Sequence, residues 1–205
     1  MTNPLKIGVL ASGGGTNLQS IIDNIEKGIL PAEIACVLSN NAGAFALERA
    51  SRHGIPCRHI AHRNFANREA YDAALVQTLK EYGVGLVVLA GFMRIITPVL
   101  LDAFPSAVMN IHPALLPAFP GLHAQRQALD YGVKVAGCTV HFVDTGTDTG
   151  PIILQAAVPV VEGDTEQTLS ARILTEEHTI YTEAIRLFAA GRLSIQGRKV
   201  VISPE

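Results

Sequence analysis

The sequence lacks a strong charge of either sign. Its 205 residues carry 16 Lys and Arg against 18 Asp and Glu, a formal net charge of −2, with no run of like charges. Nucleic acid and anionic membranes are therefore poor partners, since both are recognised through concentrated positive charge. Cysteine is scarce. Cys36, Cys57 and Cys138 are odd in number, far apart and never spaced as C-x-x-C. That argues against a disulfide framework or a dithiol centre, and Cys36 and Cys138 sit in apolar runs where a small buried side chain is ordinary. No apolar stretch reaches the roughly 18 residues of a membrane-spanning helix, and no secretory segment precedes the first strand pattern at Lys6. A cytoplasmic location is expected. Internal repeats, low-complexity segments and linkers are also missing, so residues 1–205 read as one domain. Hydrophobic residues make up 48% of the chain. A chain of this length can bury roughly 70% of its unfolded surface without a metal or disulfide.

Apolar runs alternate with amphipathic segments. Lys6 to Ala11 reads as a strand, and Leu18, Ile21, Ile22 and Ile25 then form a helical stripe closed by Gly28. Ile34 to Ser39 and a short run near Arg58 to Ala61 are further strands. They are followed by helices over Ala44 to His53 and Arg68 to Tyr82. Leu86 to Ala90 is apolar throughout, as in a parallel strand buried on both faces. Thr97-Pro98 looks like a cap and first position of another helix, and Val108 to His112 is the next strand. The second half changes character. Val135 to Val143 and Ile152 to Val161 are long strand-like runs joined by a polar loop, which suggests antiparallel pairing. A helix over Asp164 to Ala189 and a hairpin over Leu193 to Ile202 follow. The expected fold is α/β: a doubly wound, mostly parallel twisted sheet with an antiparallel C-terminal part.

Two stretches carry chemistry. Ser12-Gly13-Gly14-Gly15-Thr16-Asn17 joins the first strand to the first helix, where glycines bring backbone amides close to an anion at the positive helix end. Thr16 and Gln19 have the spacing of a capping box, marking the helix start. The Walker lysine is absent. Leu18 stands where a dinucleotide fingerprint needs glycine, and Ser39-Asn40-Asn41 stands where it needs an acid. A single terminal phosphate fits better. In Asn110-Ile111-His112-Pro113 the amide and the imidazole share one strand face, and the proline ends the strand. Both then sit at the carboxyl end of a predicted parallel strand, where open α/β sheets bind ligands. The loop from Asp144 to Pro151 is either a plain turn or one that holds Asp148 facing His112. His141, mid-strand among apolar neighbours, is open between a structural role and a polar role in the cleft. His59 and His62 have no partner pattern for a metal, and none is expected.

Taken with Ala90 to Ile95, Leu115-Leu116-Pro117, Pro120 to His123, Val140 to Val143, Asp148-x-Gly150-Pro151 and Glu176-Glu177-His178, these stretches occur in one order and spacing. In that combination the chain resembles the glycinamide ribonucleotide formyltransferases, folate-dependent enzymes of purine synthesis, over Lys6 to about Val201. It departs from their pattern at Gly14, often polar, and at Thr149, often glycine. The resemblance implies transfer of a formyl group from 10-formyltetrahydrofolate to the amine of 5-phosphoribosylglycinamide, with small-molecule partners and no metal. It implies that Gly15, Thr16 and Asn17 hold the phosphate and that Glu177 approaches the amine. Arg68, Met93, Arg94, Ile95 and Ile96, with Asn110, would form the folate side. Asn110, His112 and Asp148 would be the catalytic trio. The half to about residue 105 would bind phosphate, and the half from about 106 would bind folate and carry the chemistry. A methionyl-tRNA formyltransferase would be expected to add a basic C-terminal domain, and a formyltetrahydrofolate hydrolase an N-terminal regulatory one.

Overall fold

A computed structural model describes residues 4–204. The chain divides into two compact units, one ending at Met109 and the other beginning at Asn110.

The first unit alternates strand and helix: β1 (Leu5–Leu10), α1 (Thr16–Glu26), β2 (Ala32–Ser39), α2 (Phe45–Arg52), β3 (Cys57–His59), α3 (Arg68–Glu81), β4 (Leu86–Leu89) and α4 (Pro98–Ala103). Its strands lie in the order β3-β2-β1-β4, with every adjacent pair parallel. All four residues of β4 are buried, as are Ile7 to Leu10 of β1. Strands this apolar persist only when both faces are covered, and helices carrying Leu18, Ile21, Leu75 and Leu79 cover them. At Gly8 the approach is so close that a Cβ would fall 2.4 Å from Leu79 Cδ2.

The chain passes into the second unit inside β5 (Val108–His112). There follow α5 (Ala124–Tyr131), β6 (Val135–Phe142), β7 (Ile152–Pro159), α6 (Glu166–Ala189), β8 (Leu193–Gln196) and β9 (Lys199–Ile202). Strands β6 and β7 are antiparallel, β7 meets β9 in parallel at Ile152 and Lys199, and β8 and β9 form the closing hairpin. Helix α6 lies against β6 and β7.

The strands are thus parallel through β4 and largely antiparallel from β6 on, the α/β class that the alternating runs predict. One expectation needs correction, and one helix was not expected. Helix α1 does start at Thr16, but Gly15 is its cap, no side chain caps it, and Gln19 turns to Asp23 instead. The capping box lies at α6, where Thr165 and Thr168 bond reciprocally. Helix α5 has no counterpart in the sequence pattern. Its only buried residues, Ala124 and Ala128, are too small to make an apolar stripe.

Backbone crowding makes one glycine testable. A Cβ at Gly137 would sit 2.0 Å from the Ala156 carbonyl oxygen across β6 and β7, whereas one at Gly14 meets nothing within 4 Å. Gly137→Ala is expected to cost about 2 kcal/mol or more in urea unfolding, since backbone rather than a pliable side chain must move. Gly14→Ala should stay within about 0.5 kcal/mol.

Candidate active site

In the first unit the glycine loop is tied on several sides. Ser12 N donates to Gly91 O at 3.0 Å. Its Oγ donates to Asn40 Oδ1 at 2.6 Å and accepts from Met93 N at 2.9 Å. Gly15 has φ of +68° and its Cβ would meet Ala46 Cβ at 2.8 Å, so both conformation and space require glycine there. Gly13 and Gly14 instead open on a cavity of about 260 Å³, lined by the loop from Ser12 to Asn17 and by Ala90, Gly91 and Met93. Helix α1 begins at this loop with no side-chain cap bond at Gly15, and the positive end of a helix suits an anion.

Of the residues expected to bind ligands, Gly15, Thr16, Asn17 and Met93 therefore line one cavity. Met93 and Ile95 are exposed, and Arg94 lies over the Tyr71 ring at 5.7 Å. Arg68 is exposed at the start of α3. Ile96 differs: its side chain is buried in the core, so only its backbone remains for a ligand. The segment is anchored by Asp72, which the sequence reading did not single out. Buried on α3, its Oδ2 accepts from Thr97 N at 2.7 Å and Thr97 Oγ1 at 2.8 Å. Burial raises the Asp72 carboxyl above its ordinary value, against the opposing pull of these bonds and of Arg94. A single acid inside a helical pattern reads as surface charge, which is why it gave no signal.

In the second unit Asp148 lies between two histidines. Its Oδ2 is 3.3 Å from His112 Nδ1 and accepts from Gly121 N at 2.8 Å. Its Oδ1 is 3.7 Å from His141 Nε2, too long for a hydrogen bond. Burial alone would raise this carboxyl, but His141, the Gly121 amide and His112 outweigh it and hold it below the usual carboxylate range. His112 Nε2 donates to Phe119 O at 2.9 Å. His141 Nδ1 donates to Phe142 O at 2.8 Å, which leaves its Nε2 to meet Asn110 Nδ2 at 3.2 Å. Asn110, His112 and Asp148 are thus brought together, with His141 as a fourth member that joins Asn110 to Asp148.

The local folding explains these positions. Asn110 and His112 share a face of β5, and His141 follows Thr139 at the same two-residue repeat on β6. Opposite His141 the register slips, with Val140 paired to Leu154 but His141 to Ile152, a bulge that re-aims the strand end. The fully buried Thr139 accepts from Leu116 N at 3.0 Å and donates to Ala114 O at 2.7 Å, fixing the chain just after His112. The polar pair Thr139-x-His141 in an apolar strand was the available signal. It repeats the pattern of Asn110-x-His112. Phe119 and Asp148 both hold φ near +55°, conformations rare outside glycine, at the two points that meet His112. Asp144 Oδ1 braces the Asp148 loop by accepting from Gly146 N at 3.1 Å and Thr149 Oγ1 at 2.6 Å. Glu177 is buried on α6. Among the described residues no group of three or more His, Cys, Asp or Glu could hold a metal, and no helix is long and apolar enough to cross a membrane.

Comparison with known proteins shows the family of the chain. The formyl transferase family profile matches residues 5–185. The phosphoribosylglycinamide formyltransferase of Escherichia coli K12 is 47% identical over 191 residues, 93% of this chain and 90% of that one. The trifunctional purine biosynthetic protein adenosine-3 of Drosophila pseudoobscura is 49% identical over 92% of this chain, which spans only 14% of that protein's length. The crystal structure of glycinamide ribonucleotide transformylase 1 from Symbiobacterium toebii superposes with a TM-score of 0.98 at 58% identity, covering 100% of this chain and 96% of that one.

The lowered Asp148 carboxyl sets a pH dependence. Its folded-state pKa lies below the ordinary value of about 3.9, so its ionised form stabilises the fold above that value. This contribution is lost as pH falls through the folded pKa. The stability gap between wild type and Asp148→Asn, measured by urea unfolding, should be full at pH 6 to 7. It should close progressively below about pH 4.

Proposed function

We propose that this chain, which belongs to the formyl transferase family, transfers a formyl group from 10-formyltetrahydrofolate to the amine of 5-phosphoribosylglycinamide. The products are formylglycinamide ribonucleotide and tetrahydrofolate, a step of purine biosynthesis carried out in the cytoplasm. The observation that carries this reading is the Asp148 carboxylate set against His112 and His141, with Asn110 bonded to His141.

Transfer to an amine makes three demands. As the amine nitrogen attacks the formyl carbon, the carbonyl oxygen becomes negative and needs donors. The amine must lose a proton. The folate N10 must gain one as its bond to the formyl carbon breaks. Asn110 has two amide hydrogens. With one directed at His141, the other is free for the oxyanion, so His141 orients the donor. His112 supplies the second donor and the proton route when its Nε2–H turns from the Phe119 carbonyl to the reacting atoms. With Nε2–H on the Phe119 carbonyl and Nδ1 towards Asp148, only an imidazole protonated on both nitrogens donates on both sides. Asp148 fixes the ring. No covalent intermediate is needed. The buried Cys138 thiol is raised to about 12, by burial first and by Glu177 and Glu176 after it, which keeps it protonated and inert. In this reading Gly15, Thr16 and Asn17 hold the ribose phosphate and Glu177 approaches the amine. The folate contacts come from Arg68, the exposed side chains of Met93 and Ile95, Arg94, the backbone at Ile96, and Asn110.

The test is formation of tetrahydrofolate followed by absorbance, with and without the ribonucleotide. Acceptor-dependent turnover is expected. Equal turnover without acceptor would mean that water accepts the formyl group, and the chain would be a hydrolase. Asn110→Ala should lower kcat by on the order of 10²- to 10³-fold with a smaller change in folate KM. His141→Ala should reproduce part of that loss, because it frees the Asn110 amide to turn.

A further inference from the structure

We infer that Arg49, on α2 and outside the expected ligand set, is a positioning residue for the phosphate subsite. It holds the glycine loop with its amides outward and strengthens one of them. This rests on the functional reading above.

A loop that binds an anion through backbone amides must point its carbonyls elsewhere and satisfy them there. Four consecutive carbonyls of this loop are tied back. Ser12 O accepts from Asn41 Nδ2 at 3.4 Å. Gly13 O accepts from Ala46 N at 3.0 Å, and Gly15 O from Gln19 N at 2.9 Å. Gly14 O accepts from Arg49 Nε at 2.8 Å. Three of the four donors are neutral, and only Arg49 brings a full charge. Its guanidinium is itself fixed, with Nη1 donating to Gln19 Oε1 at 3.0 Å and Cζ over the Phe45 ring, 4.8 Å from its centroid. Charged donors make the stronger bonds. The Gly14 carbonyl shares its peptide with the Gly15 amide, so a cation on the oxygen polarises the N–H on the far side of that peptide. That amide belongs to the residue capping α1, beside the cavity. The positive charge also adds to the helix end without entering the cavity lining. Gly15 cannot slip to escape this arrangement, because Ala46 fills the space behind it.

The test measures ribose 5-phosphate binding by calorimetry, and KM for the ribonucleotide, its dephosphorylated riboside and the folate. Arg49→Met keeps a long stem and removes the charge and the fork. It should weaken ribose 5-phosphate and raise the ribonucleotide KM on the order of 10-fold or more. The riboside and folate constants should change far less. Arg49→Lys keeps a point charge and should fall between the two. If Arg49→Met does not fold, the same comparison on Arg49→Lys decides. Unchanged ribose 5-phosphate binding in the folded variant overturns the assignment. So do equal changes in ribonucleotide, riboside and folate constants, which would mean that Arg49 only supports the fold. Arg49-dependent binding of ribose 5-phosphate with no formyl transfer by wild type would leave the Arg49 assignment standing and remove the proposed reaction.

Discussion

The second unit is arranged around one largely enclosed anion, Asp148. A carboxylate taken out of water is strongly destabilising unless charge and hydrogen bonds replace its hydration. Asp148 meets His112 on β5, His141 on β6 and the amide of Gly121. These partners come from three separate stretches of chain, so the carboxylate fixes their mutual geometry as much as they fix its charge. The left-handed backbone of Asp148 and Phe119 is the conformational cost of that arrangement, roughly 1–3 kcal/mol at each such position.

The same accounting of polar groups governs the loops that support the site. The turn after His112 would leave buried backbone groups unpaired, and Thr139 takes up two of them. Gln155 Nε2 adds bonds to Thr139 Oγ1 and to Leu116 O, each at 2.9 Å. In the first unit, Ser12 and Asp72 anchor the two ends of the stretch from Met93 to Thr97. The glycine loop has its carbonyls tied back in the same way. In each case a polar side chain outside the reacting groups decides where a backbone points. Chemistry that depends on amide direction depends on these residues too.

Much of this was legible in the sequence, because its periodicities report local burial directly. Fully apolar runs fixed the parallel strands of the first unit. The glycine loop before a helical stripe marked the loop that lines the cavity, and Asn110-x-His112 before Pro113 placed two polar groups on one strand face. Each of these signals lies within a few residues, where the repeat of a strand or a helix determines which side chains share a face. The α5 helix was not legible, because two alanines make no stripe.

What only the tertiary structure decided are the meetings of residues distant in the chain: Asp148 with His112 rather than with solvent, His141 between Asn110 and Asp148, Asp72 on Thr97, and Arg49 on Gly14. Sequence spacing carries no distance between separate elements. A lone acid, histidine or arginine in a regular element has the same local pattern whether it faces water or a partner. Sheet register, the bulge opposite His141 and the packing of α2 on the glycine loop settled which of the two it was.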